Sequence, residues 1–542
     1  MAADQTAELA ALARELQELN RIGAALSAER DTSRLLELIL TKAREITASD
    51  AGSLYVVEQP DPPPGADEAT SGDLPRRLRF MIAQNDSTSL PFMARGLEIT
   101  DRSVAGYVAL SGRIVALEDA YRPPPDAPYT FDRSFDEMAG YRTRSVLAAP
   151  MRTPQGHIVG VLQLINAKRH AGVRLESADA FSRDVIPYSP HHKALIESLA
   201  AQAAIALENS QLYSAIEQLF EGFVRASIVA IESRDPATSG HSFRVANLTV
   251  ALAEAVDRAD HGPFAAIRFS REEMRTIRYA SLLHDFGKVG VREEVLVKAK
   301  KLYPEQLELI RERFKLARSR RELESMRRRI DCLIAEGASA YQQRLGQFEA
   351  ELAGDIQGLE ANLSAIERAN EPTAVASGSF ERLRDIAAAS FTGDDGQPQP
   401  LLTAREVELL SLRRGTLSAS ERSEIQSHVV HTYNFLRQIP WTRETRRIPA
   451  ITLGHHEFLN GTGYPHHLTA SDIPIQARMM TICDIFDAVS ASDRPYKKAV
   501  PFERALEILA AAVEDAQLDR DLVALFLDAR VFDRWQVEPY RY

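Results

Sequence analysis

Apolar positions fall into two kinds of pattern along this chain. Near the N-terminus Leu9, Leu12, Leu16, Leu19, Gly23 and Leu26 recur at alternating steps of three and four, the narrow seam of a coiled-coil helix. Residues 35–46 continue as a helix, and strand-like runs follow at 52–57, 78–83, 145–151 and 158–165. A Pro-rich stretch over 59–74 reads as a surface excursion. Helix, five or six strands and a closing helix predict an α/β sensor-type domain that ends near Asn209.

The second pattern is helical almost throughout. Ile205, Asn209, Leu212, Ile216, Leu219, Phe223, Ala226 and Ala230 form a 3-4 repeat in a helix expected over 192–231, the seam of a parallel coiled coil with Asn209 as its polar register residue. One amphipathic helix packed on its own domain fits the same spacing. Ser270 and Glu273 form a capping-box pattern before a helix expected to end near Phe286, and Ser418 and Glu421 repeat it before the helix expected to carry His428. Between them Leu316, Leu323, Met326, Ile330 and Leu333 make one heptad stripe, and Tyr341, Leu345, Phe348, Leu352, Ile356, Leu359, Leu363 and Ile366 another. With Gly337 between the stripes, they predict a long antiparallel helical hairpin from Pro304 to about Ala369. A Gly/Asp/Pro-rich loop over 392–400 leads back. Arg320, Arg321 and Arg327 to Arg329 on the hairpin fit a solvated face better than a basic binding patch.

Composition narrows the classes. At 542 residues the chain is too long for one ordinary core, so two or three domains are expected. A net charge of −11 argues against a broad nucleic-acid or anionic-membrane surface while leaving room for a small phosphate pocket. Two cysteines, Cys332 and Cys483, exclude a disulfide framework and a thiolate zinc module. No apolar run approaches the roughly 20 residues of a membrane span, and the first 21 residues do not read as a signal peptide. A reducing cytoplasm is the expected location. Of 13 histidines, eight crowd into motifs between His241 and His467, leaving His261 aside.

Five fragments carry candidate chemistry: His241, His284 with Asp285, His428, His455 with His456, and Asp484. Imidazole and carboxylate ligands suit iron, manganese or zinc. A carboxylate can bridge two cations and an imidazole cannot, so one His-Asp pair can serve two metals. Lys288 stands three residues after Asp285, where a continuing helix would place it on the same face. It suits a phosphate contact, and equally an i,i+3 ion pair with Asp285.

These fragments resemble a known family. "HDFGK" (284–288) is similar to the HD superfamily of metal-dependent phosphohydrolases, and "HHEFLNGTGYP" (455–465) adds the signature Gly463-Tyr464-Pro465 of the HD-GYP subfamily, phosphodiesterases of cyclic di-GMP. "SRDPATSGHSFRV" (233–245), "IPIQARMMTICDIFDA" (473–488) and "DRPYKKA" (493–499) follow in the family's order. The resemblance implies that His241, His284, Asp285 and Asp484 hold one metal, that Asp285 bridges, and that His428, His455 and His456 hold the second. It implies that Lys288 meets the scissile phosphate. Arg494 and Lys498, with Lys497 as the alternative, would bind substrate phosphate, and Gly463, Tyr464 and Pro465 would shape the loop beside it. An ordinary tight turn also fits that tripeptide. Some members use a glutamate four residues before the first histidine for a third metal. Ala237 stands there, so two metals are expected: iron first, manganese next, zinc or magnesium after them. Asn460 replaces a frequent aspartate, with altered substrate contacts as the most that should follow.

The N-terminal segment resembles a GAF domain, through residues 35–46, 51–55, 106–111, "FDEMAGYRTRSVLAAPM" (135–151) and 160–166. Asn166 and Lys168 partly match a motif of the cyclic-nucleotide-binding subgroup, broken by Ala167. A small-molecule or cyclic-nucleotide ligand fits this resemblance, and so does a dimerisation module without one. No cysteine is present there to attach a bilin.

The expected layout is a coiled-coil helix at 1–30, a GAF-like sensor at 31–191, a signalling helix at 192–231, and an all-α HD-type domain at 232–542 interrupted by an insert at 304–400. A homodimer through helices 1–30 and 192–231 is expected, with the insert as a surface for a protein partner. The expected activity is hydrolysis of cyclic di-GMP to 5′-pGpG, and on to GMP in some of the family, by a hydroxide bridging two metals. The alternatives are a non-catalytic cyclic-dinucleotide receptor and a hydrolase of another cyclic dinucleotide.

Overall fold

The computed structural model describes residues 17–58, 76–88, 96–234, 240–372, 379–393, 396–491 and 501–536. The chain divides into two compact units, Met1–Phe220 and Glu221–Tyr542.

The first unit is a sheet with helices on its faces. Described residues 17–28 are helical (α1), followed by α2, Thr32–Thr47. Asp31 caps α2 by accepting from the Arg34 amide, and Ala48 in the left-handed conformation ends it. Leu35, Leu36, Ile39, Leu40 and Ala43 fall on one face of α2 and are buried. The strands are β1 (Ser49–Glu58), β2 (Arg77–Asn85), β3 (Gly96–Glu98), β4 (Val115–Leu117), β5 (Val146–Arg152), β6 (Ile158–Lys168) and β7 (Val185–Ile186). They pair in the order β3-β2-β1-β6-β5-β4 with β7 on β6, all antiparallel. Strand β1 is buried on both faces along most of its length. Leu54 and Val56 join the core under α2, while Tyr55 joins the opposite core with Val104, Val108 and Tyr129. Helices α3 (Val104–Ser111), α4 (Ser134–Ala139) and α5 (Ala178–Asp184) complete the unit.

The two expected dimer seams differ. Leu26, with Ile22, is buried in the first unit's own core, and Leu19 is buried as well. This described part of the N-terminal seam is therefore covered within the chain and not by a second copy. The rest of that seam, Leu9, Leu12 and Leu16, lies outside the described residues. Helix α6, Pro190–Glu232, keeps its seam open: Ile205, Leu212, Ile216, Leu219 and Phe223 are 41–75% exposed.

The second unit is helical. Helices α7 (His241–Arg258), α8 (Arg271–Leu283), α14 (His428–Leu436), α15 (Ile448–Leu453) and α16 (Ile475–Ser490) surround the centre described below. Short α9 (Glu293–Leu296), α12 (Ala404–Leu410) and α13 (Ala419–Gln426) support it, and α17 (Phe502–Glu514) and α18 (Arg520–Asp528) close the chain.

Two boundaries differ from the expectation. Helix α8 ends at Leu283 and gives way to a 3-10 turn, Phe286–Gly290. The Ser418–Glu421 capping box starts α13, and His428 begins the next helix after Ser427.

Helical segment α10, Pro304–Ala369, folds back at Gly337, whose φ of 83° and ψ of 174° interrupt it. Arg311–Glu367, Arg318–Glu360 and Arg328–Glu351 pair across the two arms, which run antiparallel. The first arm buries Ile310, Phe314, Ala317, Ser325 and Cys332. Leu323, Met326, Ile330 and Leu333, expected to form the seam between the arms, are instead exposed together with Ile334. The root of the hairpin has its own core with α11 (Ser379–Ala388), α12 and a two-stranded ribbon, β8 (Ser390–Thr392) and β9 (Pro398–Pro400), in part of the expected loop. Lys298 also clamps the root: its ammonium contacts both oxygens of Glu421, which accepts from the Tyr303 hydroxyl as well.

Candidate metal centre

The ends of helices deliver most of this site. His284 is the C-terminal cap of α8, Asp285 follows it, His428 starts α14, and His455 and His456 lie just beyond α15. His241 starts α7, and Asp484 projects from the middle of α16. All seven expected ligands come together, and six of them are buried, with His456 partly exposed.

Their hydrogen bonds fix which nitrogen faces inward. His284, His428 and His455 each place Nδ1 2.6 Å from a backbone carbonyl three residues earlier, that of Ser281, Ile425 and Thr452. A carbonyl only accepts, so each Nδ1 carries the proton and each Nε2 presents a lone pair. Those three buried Nε2 atoms have no hydrogen-bond partner. His241 follows the same logic with a carboxylate, its Nδ1 lying 2.7 Å from Oδ2 of Asp487.

The two inner carboxylates reach both ways. Oδ2 of Asp285 is 3.7 Å from Nε2 of His241 and 3.5 Å from that of His284, while Oδ1 is 3.2 Å from Nε2 of His428. Oδ1 of Asp484 is 3.2 Å from Nε2 of His241, and Oδ2 is 3.8 Å from Nδ1 of His456. Three groupings have ligand atoms within 4.8 Å of one another: His428–His455–His456, His241–His284–Asp285 and His284–His455–Asp484. Asp484 thus reaches further than the first-metal role expected of it.

Charge states suit cations. Burial works against the Asp285 and Asp484 carboxylates, yet Lys288 and His284 hold the first well below its usual range, and His241 holds the second there. Burial pushes His455 and His284 down, and His456 down to about 4, so all three are neutral near pH 7. Burial works against a charge on His241, but Asp484 and Asp487 raise it to about 9, so without a cation this imidazole keeps a proton near pH 7 that a bound cation would displace. Neutral imidazoles, ionised carboxylates and orphaned inward nitrogens form a donor set for divalent metal.

Lys288 arrives by a different route from the one expected. The 3-10 turn, with three residues per turn, brings its Nζ to 2.9 Å from Oδ2 of Asp285, the ion pair weighed as the alternative.

Further residues that the sequence reading passed over hold the ligands. The Thr432 hydroxyl donates to the His284 carbonyl and accepts from the Gly287 amide. A Cβ on Gly287 would meet the His428 carbonyl at 1.9 Å, which accounts for glycine in "HDFGK". Thr481 donates to the His455 carbonyl, and Arg244 pairs with Asp487. Arg244 follows His241 by three helical positions, and Asp487 follows Asp484 likewise, a spacing that could have flagged both.

Gly463, Tyr464 and Pro465 lie against His456. A Cβ on Gly463 would meet the Phe458 amide nitrogen at 2.3 Å and the His456 carbonyl at 2.5 Å. The Tyr464 amide donates to that carbonyl, its ring lies 4.8 Å from the His456 ring, and the Tyr464–Pro465 bond is cis. Buried Glu457 secures the turn by accepting from the His466 and Leu468 amides. Asn460 donates to the Asp515 carbonyl and accepts from Thr462, so it builds a turn. Arg494, Lys497, Lys498 and Ala237 lie outside the described residues.

Comparison with known proteins agrees with this architecture. A GAF domain profile matches residues 31–207, and two HD domain profiles match 238–356 and 404–522. The chain therefore joins an α/β GAF domain to a mostly helical HD domain, a fold class that binds divalent metal. Among its relatives, a 3′3′-cGAMP-specific phosphodiesterase 3 of Vibrio cholerae is 37% identical over 95 residues, 18% of this chain and 20% of that protein. The cyclic di-GMP phosphodiesterase PA4108 of Pseudomonas aeruginosa is 52% identical over 48 residues, 9% and 11%. The cyclic di-GMP phosphodiesterase response regulator RpfG of Xanthomonas campestris is 36% identical over 100 residues, 18% and 26%. The chain thus spans about a quarter or less of the length of these relatives.

Proposed function

We propose that the HD unit hydrolyses a cyclic dinucleotide, cyclic di-GMP first, to linear 5′-pGpG. The observation that carries this reading is the convergence of three buried, unpartnered imidazole Nε2 atoms on two carboxylates that each reach both sides. His241, His284, Asp285 and Asp484 would hold one divalent cation, and His428, His455 and His456 a second, with Asp285 shared; iron stands first among the candidates. Such a pair of cations would neutralise phosphate-oxygen charge and make a water acidic enough to attack at neutral pH.

Water adds to phosphorus in line, the bond to the 3′-oxygen breaks, and that oxygen leaves with a proton as the 3′-hydroxyl. Lys288 brings a cation that offsets charge developing on the phosphoryl oxygens. The Tyr464 hydroxyl, kept protonated by burial and by the charges of Asp484 and Asp285, offers a donor beside His456. The GAF unit regulates this chemistry, through a dimer formed along α6. Asn166 and Lys168 are not open to a GAF ligand: Asn166 bonds Arg142, Arg144 and Tyr141, and Lys168 bonds Asp50 and Asp86.

The Vibrio cholerae relative named for 3′3′-cGAMP favours a second reading, hydrolysis of the mixed dinucleotide. Parallel chromatographic assays of both substrates with metal-loaded protein test the choice. Faster cleavage of cyclic di-GMP to pGpG supports the first reading, faster cleavage of cGAMP the second, and binding without cleavage of either overturns both.

A further inference from the structure

An apolar cleft lies behind the turn that carries His284 and Asp285. Phe223, Leu283, Phe286, Phe435, Leu436 and Ile439 line about 170 Å³ of space, all within the second unit. Leu283 and Phe286 flank the two ligand residues directly, and the Phe286 ring meets that of Phe435 edge-on at 5.3 Å. Phe223 is nevertheless 50% exposed and Phe435 44%. An apolar concavity bounded by half-exposed aromatic rings calls for a covering surface.

Helix α6 indicates what covers it. Ile205, Leu212, Ile216, Leu219 and Phe223 advance by seven, four, three and four residues, and the seam they form runs into the cleft through Phe223. A seam of this period is self-complementary, because two parallel copies set each position against its counterpart. Asn209, exposed on the same line, is the polar residue that fixes such a register. Of the flanking positions Ala206, Glu208, Tyr213, Ala215, Phe220 and Gly222 only Glu208 carries a charge, so no row of charges selects an acidic or a basic helix over a second copy.

We propose that the cleft is closed by a second copy of this chain, whose own Phe223 packs beside Phe286 and Phe435. Pairing along α6 then props the turn that aims His284 and Asp285. The effect on turnover rests on the hydrolase reading, but the pairing itself does not.

Both native cysteines are buried, so an introduced thiol is the accessible one. Under mild oxidation of the full-length protein, Leu219→Cys and Phe223→Cys should form intermolecular disulfides, while Ser214→Cys, away from the seam, should not. Phe435→Ser, at a half-exposed position, should weaken dimerisation about tenfold by sedimentation and lower turnover per bound metal. Cross-linking as rapid at Ser214 as at Phe223, or a wild-type monomer at tens of micromolar, overturns the pairing. Wild-type dimer affinity in Phe435→Ser overturns the assignment of the cleft. These readouts remain decisive in a protein that hydrolyses neither dinucleotide.

Discussion

Each unit of this chain buries a polar cluster, and the two clusters are satisfied in opposite ways. In the GAF unit Asp50, fully buried, accepts from Ser87, Lys168 and Tyr141, Lys168 also meets Asp86, and Tyr141 accepts from Asn166. In the HD unit the outer nitrogens are just as carefully bonded, but Nε2 of His284, His428 and His455 points inward without a partner. A buried polar atom left unpaired costs about 1–3 kcal/mol. A cluster that closes on itself holds a fold together, whereas one that leaves convergent lone pairs open is built to receive something from outside.

Substitutions should separate the two kinds. The largest effect belongs to Asp285→Asn. An amide cannot serve two cations as a carboxylate does, so turnover should fall by about 10³-fold, some 4 kcal/mol of transition-state stabilisation, with metal content falling in the same sample. Assay and elemental analysis together check this; full turnover would put Asp285 in the closed kind of cluster.

Lys168→Met should do the reverse. Removing one partner of a buried pair leaves Asp50 uncompensated at a cost of about 3–5 kcal/mol, read as lost stability of the GAF unit in denaturant, with metal content unchanged.

The hairpin clamp is a second closed cluster, and pH probes it. Burial opposes the Glu421 charge, but Lys298, the Ser418 amide and Tyr303 hold its carboxyl down at about 2, against an ordinary 4.5. Its stabilisation is therefore complete above about pH 4.5 and is lost as pH falls through 2, on the order of 3 kcal/mol in all. Acid unfolding of wild type against Glu421→Gln measures this, and the variant should lack that part of the pH dependence.

The smallest effect is expected behind the open cluster. Asp487→Asn, which weakens the acceptor of His241 Nδ1, should lower metal affinity by about 10- to 100-fold without unfolding the domain, as titration calorimetry would read.

Much of this contrast was legible in the residues. The seven ligand types stood out because side chains of that chemistry recur in separated motifs, and the fold class followed from a change of apolar period, two in the sensor and three to four beyond it. The closed clusters were harder to foresee. Asp50 and Lys168 are 118 positions apart, and only the pairing of β1 with the end of β6 brings them together. Thr432 and Thr481 look like ordinary helix residues until their hydroxyls find the carbonyls of His284 and His455. The break after Leu283 was missed because the apolar pattern continues across it, although the 3-10 turn is what aims Asp285 and Lys288. The hairpin arms were foreseen, but the face of the first arm was not: Ser325 and Cys332 sit inside while Met326 and Ile330 face out.

Metal stoichiometry tests the central claim most directly. Full-length protein and its His428→Ala variant would be purified without oxygen, and metal per chain measured by elemental analysis. Two divalent ions per wild-type chain, iron foremost, falling to one or none in the variant, is the predicted result. Turnover by wild-type protein without stoichiometric metal, or a variant that keeps both ions, would contradict the account.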